Sequence, residues 1–189
     1  MAAKQSAPLE LGAEAPDFRL RDTDGAIVAR DDFADAPALL VVFLCNHCPY
    51  VRHISHALAS FAREFEPRGL AVVGVNANDA ERYPDDSYEA MIREKARIGY
   101  PFPYLHDENQ AVARAYGAAC TPDFFLFDAD RRLVYRGQFD DSRPGDKSPP
   151  TGDDLREAVR AVLLEEEVNQ DQKPSVGCSI KWKPGQAPG

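Results

Sequence analysis

The chain lacks both a long apolar segment and a run of basic residues. Its longest apolar stretch, residues 38–45, follows Pro37 and is far shorter than the roughly 20 residues that a membrane helix needs. Lysine and arginine number 22 against 31 acidic residues, a formal net charge of -9. Because such a surface repels phosphate backbones and anionic membranes, we expect no nucleic-acid partner and no membrane association.

Cysteine is also scarce. The chain has four cysteines, Cys45, Cys48, Cys120 and Cys178, and only the first two are close in sequence. A small disulfide-stapled secreted protein normally has a denser framework in a shorter chain. Residues 1–7 contain one lysine and no apolar segment, so we expect no secretory signal. Both absences favour a cytoplasmic location with thiols that are reactive or bound to metal.

The remaining composition is that of an ordinary globular protein. Hydrophobic residues make up 44% and charged residues 28% of the 189 positions, which excludes disordered and collagen-like classes. We predict a single domain over residues 1–189, with a core at about 12–164 and a C-terminal tail at 165–189. The tail is too rich in proline for a long helix, but Ile180 and Trp182 should pack on the body.

A strand, a helix and a second strand are predicted over residues 38–75. Residues 38–44 are continuously apolar, as in a strand buried on both faces, and residues 71–75 resemble them. Apolar side chains between them recur at helical spacing: Val51, Ile54, Leu58, Phe61 and Phe65. This order implies parallel strands joined by a crossover helix, which we expect to begin around Cys45 or Asn46.

Turn and capping residues predict the other elements. Asp24-Gly25 indicates an N-terminal β-hairpin, and residues 124–127 and 133–135 indicate another. Three helices should begin at caps: Asp86 with Glu89, Asp107 with Gln110, and Thr151. The predicted class is α/β, with a central mixed β-sheet flanked by helices, an N-terminal hairpin and an extended C-terminal tail.

Cys45 and Cys48 form a Cys-x-x-Cys pair where the first strand meets the helix. Backbone N–H groups and the helix dipole favour a thiolate there. We expect Cys45 to be the nucleophile, with a lowered pKa, and Cys48 to be the resolving thiol. His47 can carry a positive charge beside them and should tune the redox potential.

Other interpretations of the cysteines stay open. The pair can be inert and buried, or it can be half of a zinc site completed by Cys120 and Cys178 or by histidines. No second Cys-x-x-Cys supports zinc, so we predict no metal. Cys120 and Cys178 are candidate auxiliary thiols, and their alternatives are a small buried residue and a packed tail.

These motifs resemble the thioredoxin-like superfamily, and in particular its redoxin branch, which includes thioredoxin-like and peroxiredoxin proteins. The likeness extends from residue 12 to about residue 164 and rests on four segments: residues 15–18, 22–25, 45–48 and 121–128. Residues 46–49, 76–79 and 177–183 together are similar to a group of bacterial thioredoxin-family proteins.

The resemblance implies a thioredoxin-like fold and a redox-active centre at Cys45 and Cys48, without an organic cofactor. Thr121-Pro122 would be a cis-proline turn that faces this pair and offers backbone groups to an extended substrate strand. The expected activity is that of an antioxidant oxidoreductase. Its partners would be protein or small-molecule disulfides and a separate thiol electron donor.

Departures from the family patterns bear on the reaction. When Cys48 is aligned with the peroxidatic cysteine of peroxiredoxins, Cys45 stands where those proteins have a threonine, and Val41 stands where they have a proline. Pro122 stands where they have the arginine that precedes the position of Asp128. Without the threonine hydroxyl and the arginine, a bound peroxide is poorly polarised, so a thiol peroxidase is the second hypothesis. Leu39 replaces the buried aspartate of thioredoxins, which leaves no assigned proton acceptor. A third hypothesis is a non-enzymatic binding module, but such a module needs no second thiol.

Overall fold

The computed structural model describes residues 3–5 and 10–188, and most of its strands belong to one mixed sheet. That sheet has seven strands in the order β3-β2-β6-β5-β4-β8-β9, and a three-stranded sheet has the order β1-β10-β7. The strands are β1 (Ala3–Gln5), β2 (Arg19–Asp22), β3 (Ile27–Ala29), β4 (Ala38–Phe43), β5 (Leu70–Asn76), β6 (Tyr104–His106), β7 (Cys120–Thr121), β8 (Asp123–Phe127), β9 (Leu133–Gly137) and β10 (Val176–Ser179). The helices are α1 (Pro49–Phe65), α2 (Tyr88–Ile98), α3 (Ala111–Tyr116) and α4 (Asp153–Leu163).

The central strand β4 is buried on both faces, as its apolar sequence predicts. It pairs in parallel with β5 and antiparallel with β8. Leu40 and Val42 pack into an apolar cluster with α1, whereas Leu39 and Val41 belong to the cluster on the opposite face. The predicted parallel strands are therefore confirmed, and so are both predicted hairpins.

α1 places its predicted apolar stripe against the sheet. The five stripe residues are all buried. The helix begins later than expected, because Pro49 is its first residue and Cys48 is its N-cap. Proline suits that position, since the first N–H groups of a helix have no intrahelical acceptor.

Two of the three predicted caps are wrong. α2 is capped by Ser87, whose Oγ accepts a hydrogen bond of 3.2 Å from the Ala90 N–H, and Asp86 is buried elsewhere. α4 begins after Gly152, which has φ 73 and no side chain to cap with, so Thr151 is not its cap. Asp107 does cap α3, because its carboxylate accepts hydrogen bonds from the first turn of that helix.

The tail returns to the body of the protein as β10. This strand lies between β1 and β7 in the three-stranded sheet, antiparallel to both. Ile180 is buried and Trp182 packs against the same apolar cluster, in agreement with the expected docking. Within residues 3–5 and 10–188, none of the helices has the length and apolar character needed to cross a bilayer.

Candidate functional site

The sulfurs of Cys45 and Cys48 converge on one residue, Thr121. The Cys45 sulfur lies 3.1 Å from the Thr121 hydroxyl, and the Cys48 sulfur lies 3.3 Å from the Thr121 carbonyl oxygen. The sheet creates this arrangement, because the end of β4 is paired with the start of β8. The Thr121–Pro122 bond, between β7 and β8, is cis. The Cys-x-x-Cys pair and the cis-proline turn therefore form one site.

The electrostatics of the two thiols distinguish Cys45 from Cys48. Burial raises the pKa of Cys45 well above its usual value, and the nearby Cys48 and Asp86 reinforce this shift. The pKa of Cys48 is instead lowered to about 5, chiefly by a hydrogen bond from the Cys45 thiol. The Cys178 thiol and the backbone N–H groups of Val51 and Cys178 stabilise the same thiolate against the cost of burial. These shifts favour Cys48, at the N-terminus of α1, over Cys45 as the thiolate of the pair.

A buried carboxylate, that of Asp86, lies beside this pair. It is 0% exposed and accepts hydrogen bonds from three groups: the Asn46 N–H at 2.6 Å, the Asn78 amide at 2.9 Å and the Asn76 amide at 3.2 Å. Burial opposes its ionisation, but the His47 contact and these donors lower the pKa of Asp86 below its usual value. Asp86 is therefore not the helix cap that its spacing from Glu89 predicts.

His47 connects Asp86 to the thiols. Its Nδ1 lies 2.5 Å from Asp86 Oδ2, although the ring N–H does not point along that line, so the contact is mainly electrostatic. Asp86 raises the pKa of His47. The His47 ring also stacks on Tyr83, at 5.7 Å between centroids. Among the described residues, His47 Nε2 is buried and has no hydrogen-bond partner.

A metal ion is the other group that these side chains could hold. Three side chains, those of Cys45, His47 and Asp86, each place one ligand atom within 4.8 Å of the other two. Both Asp86 oxygens, however, already accept amide hydrogen bonds. Among the described residues the cluster offers three ligands, one fewer than a structural zinc site has, so proton transfer suits it better than a closed zinc site.

The two other cysteines differ in their relation to the pair. Cys178, on β10, contacts Cys48, and burial together with this contact raises the pKa of Cys178 to about 12. Cys120 is fully buried, and its thiol points to the Pro122 carbonyl at 3.7 Å. Burial raises the pKa of Cys120 far above its usual value. Cys178 is therefore in contact with the redox pair, and Cys120 is directed away from it.

Sequence reasoning missed the polar shell around Asp86. Asn76 and Asn78 lie at and just beyond the end of β5, and Asn46 lies inside the Cys-x-x-Cys pair. Tyr104 completes the shell, because its hydroxyl donates to Asn46 Oδ1 at 2.8 Å. Residues that follow parallel neighbouring strands meet at one edge of a sheet, and that signal was available for residues 76–79.

Comparison with solved structures agrees with the fold described above. The chain has a TM-score of 0.66 and 22% identity to a putative thiol:disulfide interchange protein DsbE from Chlorobium tepidum, covering 82% of this chain and 99% of that one. This likeness shows that the fold is thioredoxin-like. The AhpC/TSA family matches residues 11–136, and the chain belongs to that family.

Two further structures are similar over nearly their full length. A hypothetical protein from Sinorhizobium meliloti 1021 shares 53% identity with a TM-score of 0.94, covering 96% of this chain and 99% of that one. An uncharacterized conserved protein from Geobacillus kaustophilus shares 50% identity with a TM-score of 0.95, covering 98% of each chain.

The similarity to curated proteins is weaker. A peroxiredoxin from Aquifex aeolicus is 29% identical over 107 residues, which is 57% of this chain and 47% of that protein. The chain thus spans about half the length of the first curated relatives that it matches. Family membership follows from these comparisons, and the reaction has to be argued from the site.

Proposed function

We propose that the protein is a thiol–disulfide oxidoreductase in which Cys48 attacks a substrate disulfide and Cys45 resolves the resulting intermediate. The observation that carries this proposal is the convergence of both sulfurs on Thr121, at 3.1 Å and 3.3 Å. A purely structural or binding role would not need a second thiol beside Thr121, because one small residue would fill the space. Disulfide exchange needs two thiols close together and a group that moves protons, and here both sulfurs meet at Thr121 while Cys45 lies within 4.8 Å of the buried His47–Asp86 pair.

In the first step the Cys48 thiolate attacks one sulfur of the substrate disulfide. A bond forms between Cys48 Sγ and that sulfur, the substrate S–S bond breaks, and the second sulfur leaves as a thiolate. His47, protonated beside Asp86, gives its proton to the leaving sulfur. The products are one free thiol and a mixed disulfide on Cys48.

In the second step Cys45 releases the remaining half of the substrate. Its proton passes to His47, which is now neutral, and the Cys45 thiolate attacks Cys48 Sγ. The second substrate thiolate leaves, and a Cys45–Cys48 disulfide remains. Two electrons have moved from the pair to the substrate, and an external dithiol returns them. The His47–Asp86 pair thereby supplies the proton acceptor that the sequence analysis could not assign at Leu39.

A catalytic assay with a matched double variant tests the proposal. The reduced protein should accelerate reduction of bis(2-hydroxyethyl) disulfide by dihydrolipoamide, and the Cys45→Ala/Cys48→Ala variant should not. Cys120→Ala serves as the control, because that thiol is directed away from the pair. A wild-type rate equal to that of the double variant would reject disulfide exchange.

Thiol peroxidase activity is the second candidate, and the position of Cys48 at a helix N-terminus favours it, since a stabilised thiolate also attacks peroxide. Peroxide cleavage needs donors that polarise the oxygen pair. Among residues 3–5 and 10–188, no arginine donates a hydrogen bond to Cys45 or Cys48, and Arg52 is bound to the Asn46 carbonyl. A hydrogen peroxide consumption assay, run beside the disulfide assay, decides between the two reactions.

The proposed partners follow from the proposed reaction. They are disulfide substrates and a dithiol electron donor. A reducing compartment such as the cytoplasm fits them, because the proposed reaction starts from two reduced thiols.

A further inference from the structure

The tail strand β10 occupies the edge of the protein that lies next to the reactive sulfurs. Cys178 pairs with Thr121, and Ser179 with Cys120, in an antiparallel ladder. Thr121 is the residue that contacts both redox thiols. An extended polypeptide that adds to a sheet edge gains affinity from backbone pairing, and here it would need this edge to present a disulfide to Cys48.

β10 is seated against this edge too closely for a side chain at position 177. A Cβ atom on Gly177 would lie 2.0 Å from the Thr121 carbonyl oxygen and 2.6 Å from its carbonyl carbon. Real Cβ contacts are never this short, and the neighbouring atoms belong to backbone that cannot rotate away. The close approach of β10 to the cis-proline turn therefore depends on glycine.

Hydrogen bonds hold the tail on both sides of this contact. Before β10, Ser175 Oγ donates to the Gly137 carbonyl at 2.6 Å. After it, the Ile180 N–H donates to the Ala119 carbonyl at 3.2 Å, and the Lys181 N–H donates to Asn78 Oδ1 at 2.9 Å. The last of these bonds joins the tail to the polar shell around Asp86.

The outer edge of β10 is also paired with another strand. β1 pairs with it, and Ala3 lies opposite Cys178. Neighbouring strands are about 4.8 Å apart, so a polypeptide that added beyond β1 would lie about 14 Å from β7. A disulfide in such a strand could not reach Cys48, because disulfide exchange requires the sulfurs to touch.

We propose that β10 is a built-in substitute for a substrate strand, with Cys178 at the position of the substrate cysteine, and that the seated tail restricts the site to low-molecular-weight disulfides. The inference rests on the proposed function and names its substrate class. A small disulfide needs no strand pairing. Within residues 45–48, His47 is the residue that solvent reaches most, with 13% of its side chain exposed, and a small disulfide would enter on that side.

The test compares one small and one protein disulfide across matched variants. Gly177→Val should lift β10 without removing a thiol, and Ser179→Ala, on the same strand, should leave it seated. With dihydrolipoamide as donor, wild type and Ser179→Ala should reduce bis(2-hydroxyethyl) disulfide at equal rates and insulin hardly at all. Lifting β10 also removes the Cys178 groups that stabilise the Cys48 thiolate, so the two substrates are compared within each variant. The ratio of the insulin rate to the small-disulfide rate should rise at least tenfold in Gly177→Val.

The outcomes separate the inference from the function on which it rests. An equal ratio of the two rates in wild type and Gly177→Val would overturn the role of the tail and leave disulfide exchange intact. Failure of every form of the protein on both substrates would overturn the proposed function itself.

A measurement on the wild type alone covers the case in which Gly177→Val does not fold. Alkylation of Cys48 by iodoacetamide is compared with its reaction with a ten-residue peptide that carries an activated mixed disulfide. We expect the peptide to react at least tenfold more slowly, after correction for the rates of both reagents with a free thiol. Equal corrected rates would overturn the proposal.

Discussion

The sulfur of Cys45 lies 3.1 Å from the hydroxyl of Thr121, a residue 76 positions later in the chain. Antiparallel pairing of β4 with β8 brings the two together, and the carbonyl of Thr121 contacts Cys48 as well. One residue of the cis-proline turn therefore touches both thiols of the pair. The predictions below use this arrangement to separate the roles of the individual groups.

The two cysteines should behave differently when each is removed. We expect Cys48→Ser to lose disulfide reduction, because the stabilised thiolate is gone. Cys45→Ser should still attack and should accumulate a mixed disulfide with substrate, because only the resolving step is missing. Intact-protein mass spectrometry after brief exposure to the substrate detects the adduct. An adduct on Cys48→Ser and none on Cys45→Ser would restore our original assignment of Cys45 as nucleophile.

The thiolate of Cys48 should form at acidic pH. We expect thiolate absorbance at 240 nm to titrate with a midpoint near pH 5, because the Cys45 hydrogen bond lowers the pKa of Cys48 to about 5. Cys45→Ala removes that donor and should move the midpoint to higher pH, whereas Cys120→Ala should not. The depressed pKa also stabilises the fold above the usual thiol pKa, and this contribution is lost as the pH falls through about 5. A midpoint that Cys45→Ala leaves in place would show that another group holds the thiolate.

Asp86 should act through His47 and not only as a structural group. Asp86→Asn removes the charge that raises the pKa of His47, so protonated His47 is lost at lower pH. The alkaline limb of the pH–rate profile should then shift to lower pH, and kcat should fall on the order of ten- to a hundredfold. Asp85→Asn is the matched control, because that neighbouring side chain is exposed. A lower kcat with an unshifted limb would assign Asp86 a structural role alone.

The sequence predicts the parts of the fold that depend on local pattern. β4 is recognisable in the sequence because burial on both faces requires a continuous apolar run. α1 is recognisable because its apolar residues recur at the helical period. Asp86 was missed because an acidic residue three positions before Glu89 fits a cap, while the donors that surround it come from separate strand ends. The pKa shifts of the two thiols cannot be predicted from the sequence, because they depend on burial and on hydrogen bonds that involve Cys45, Cys48 and Cys178.

Cys178 should form a disulfide with Cys48 when Cys45 is absent. The two thiols are in contact, whereas the thiol of Cys120 is directed to the Pro122 carbonyl and burial raises its pKa far above the usual value. We treat Cys45→Ser with diamide, which removes two electrons and two protons from a pair of thiols, and map the product by peptide mass spectrometry. The expected product is a Cys48–Cys178 disulfide, with Cys120 still reduced.

Cys45→Ser/Cys178→Ser is the control and should form no intramolecular disulfide. A disulfide between Cys48 and Cys120 would contradict the placement of β10. A Cys178 that stays reduced would mean that the tail only covers the site, because a disulfide forms only where the Cα atoms come within about 7 Å.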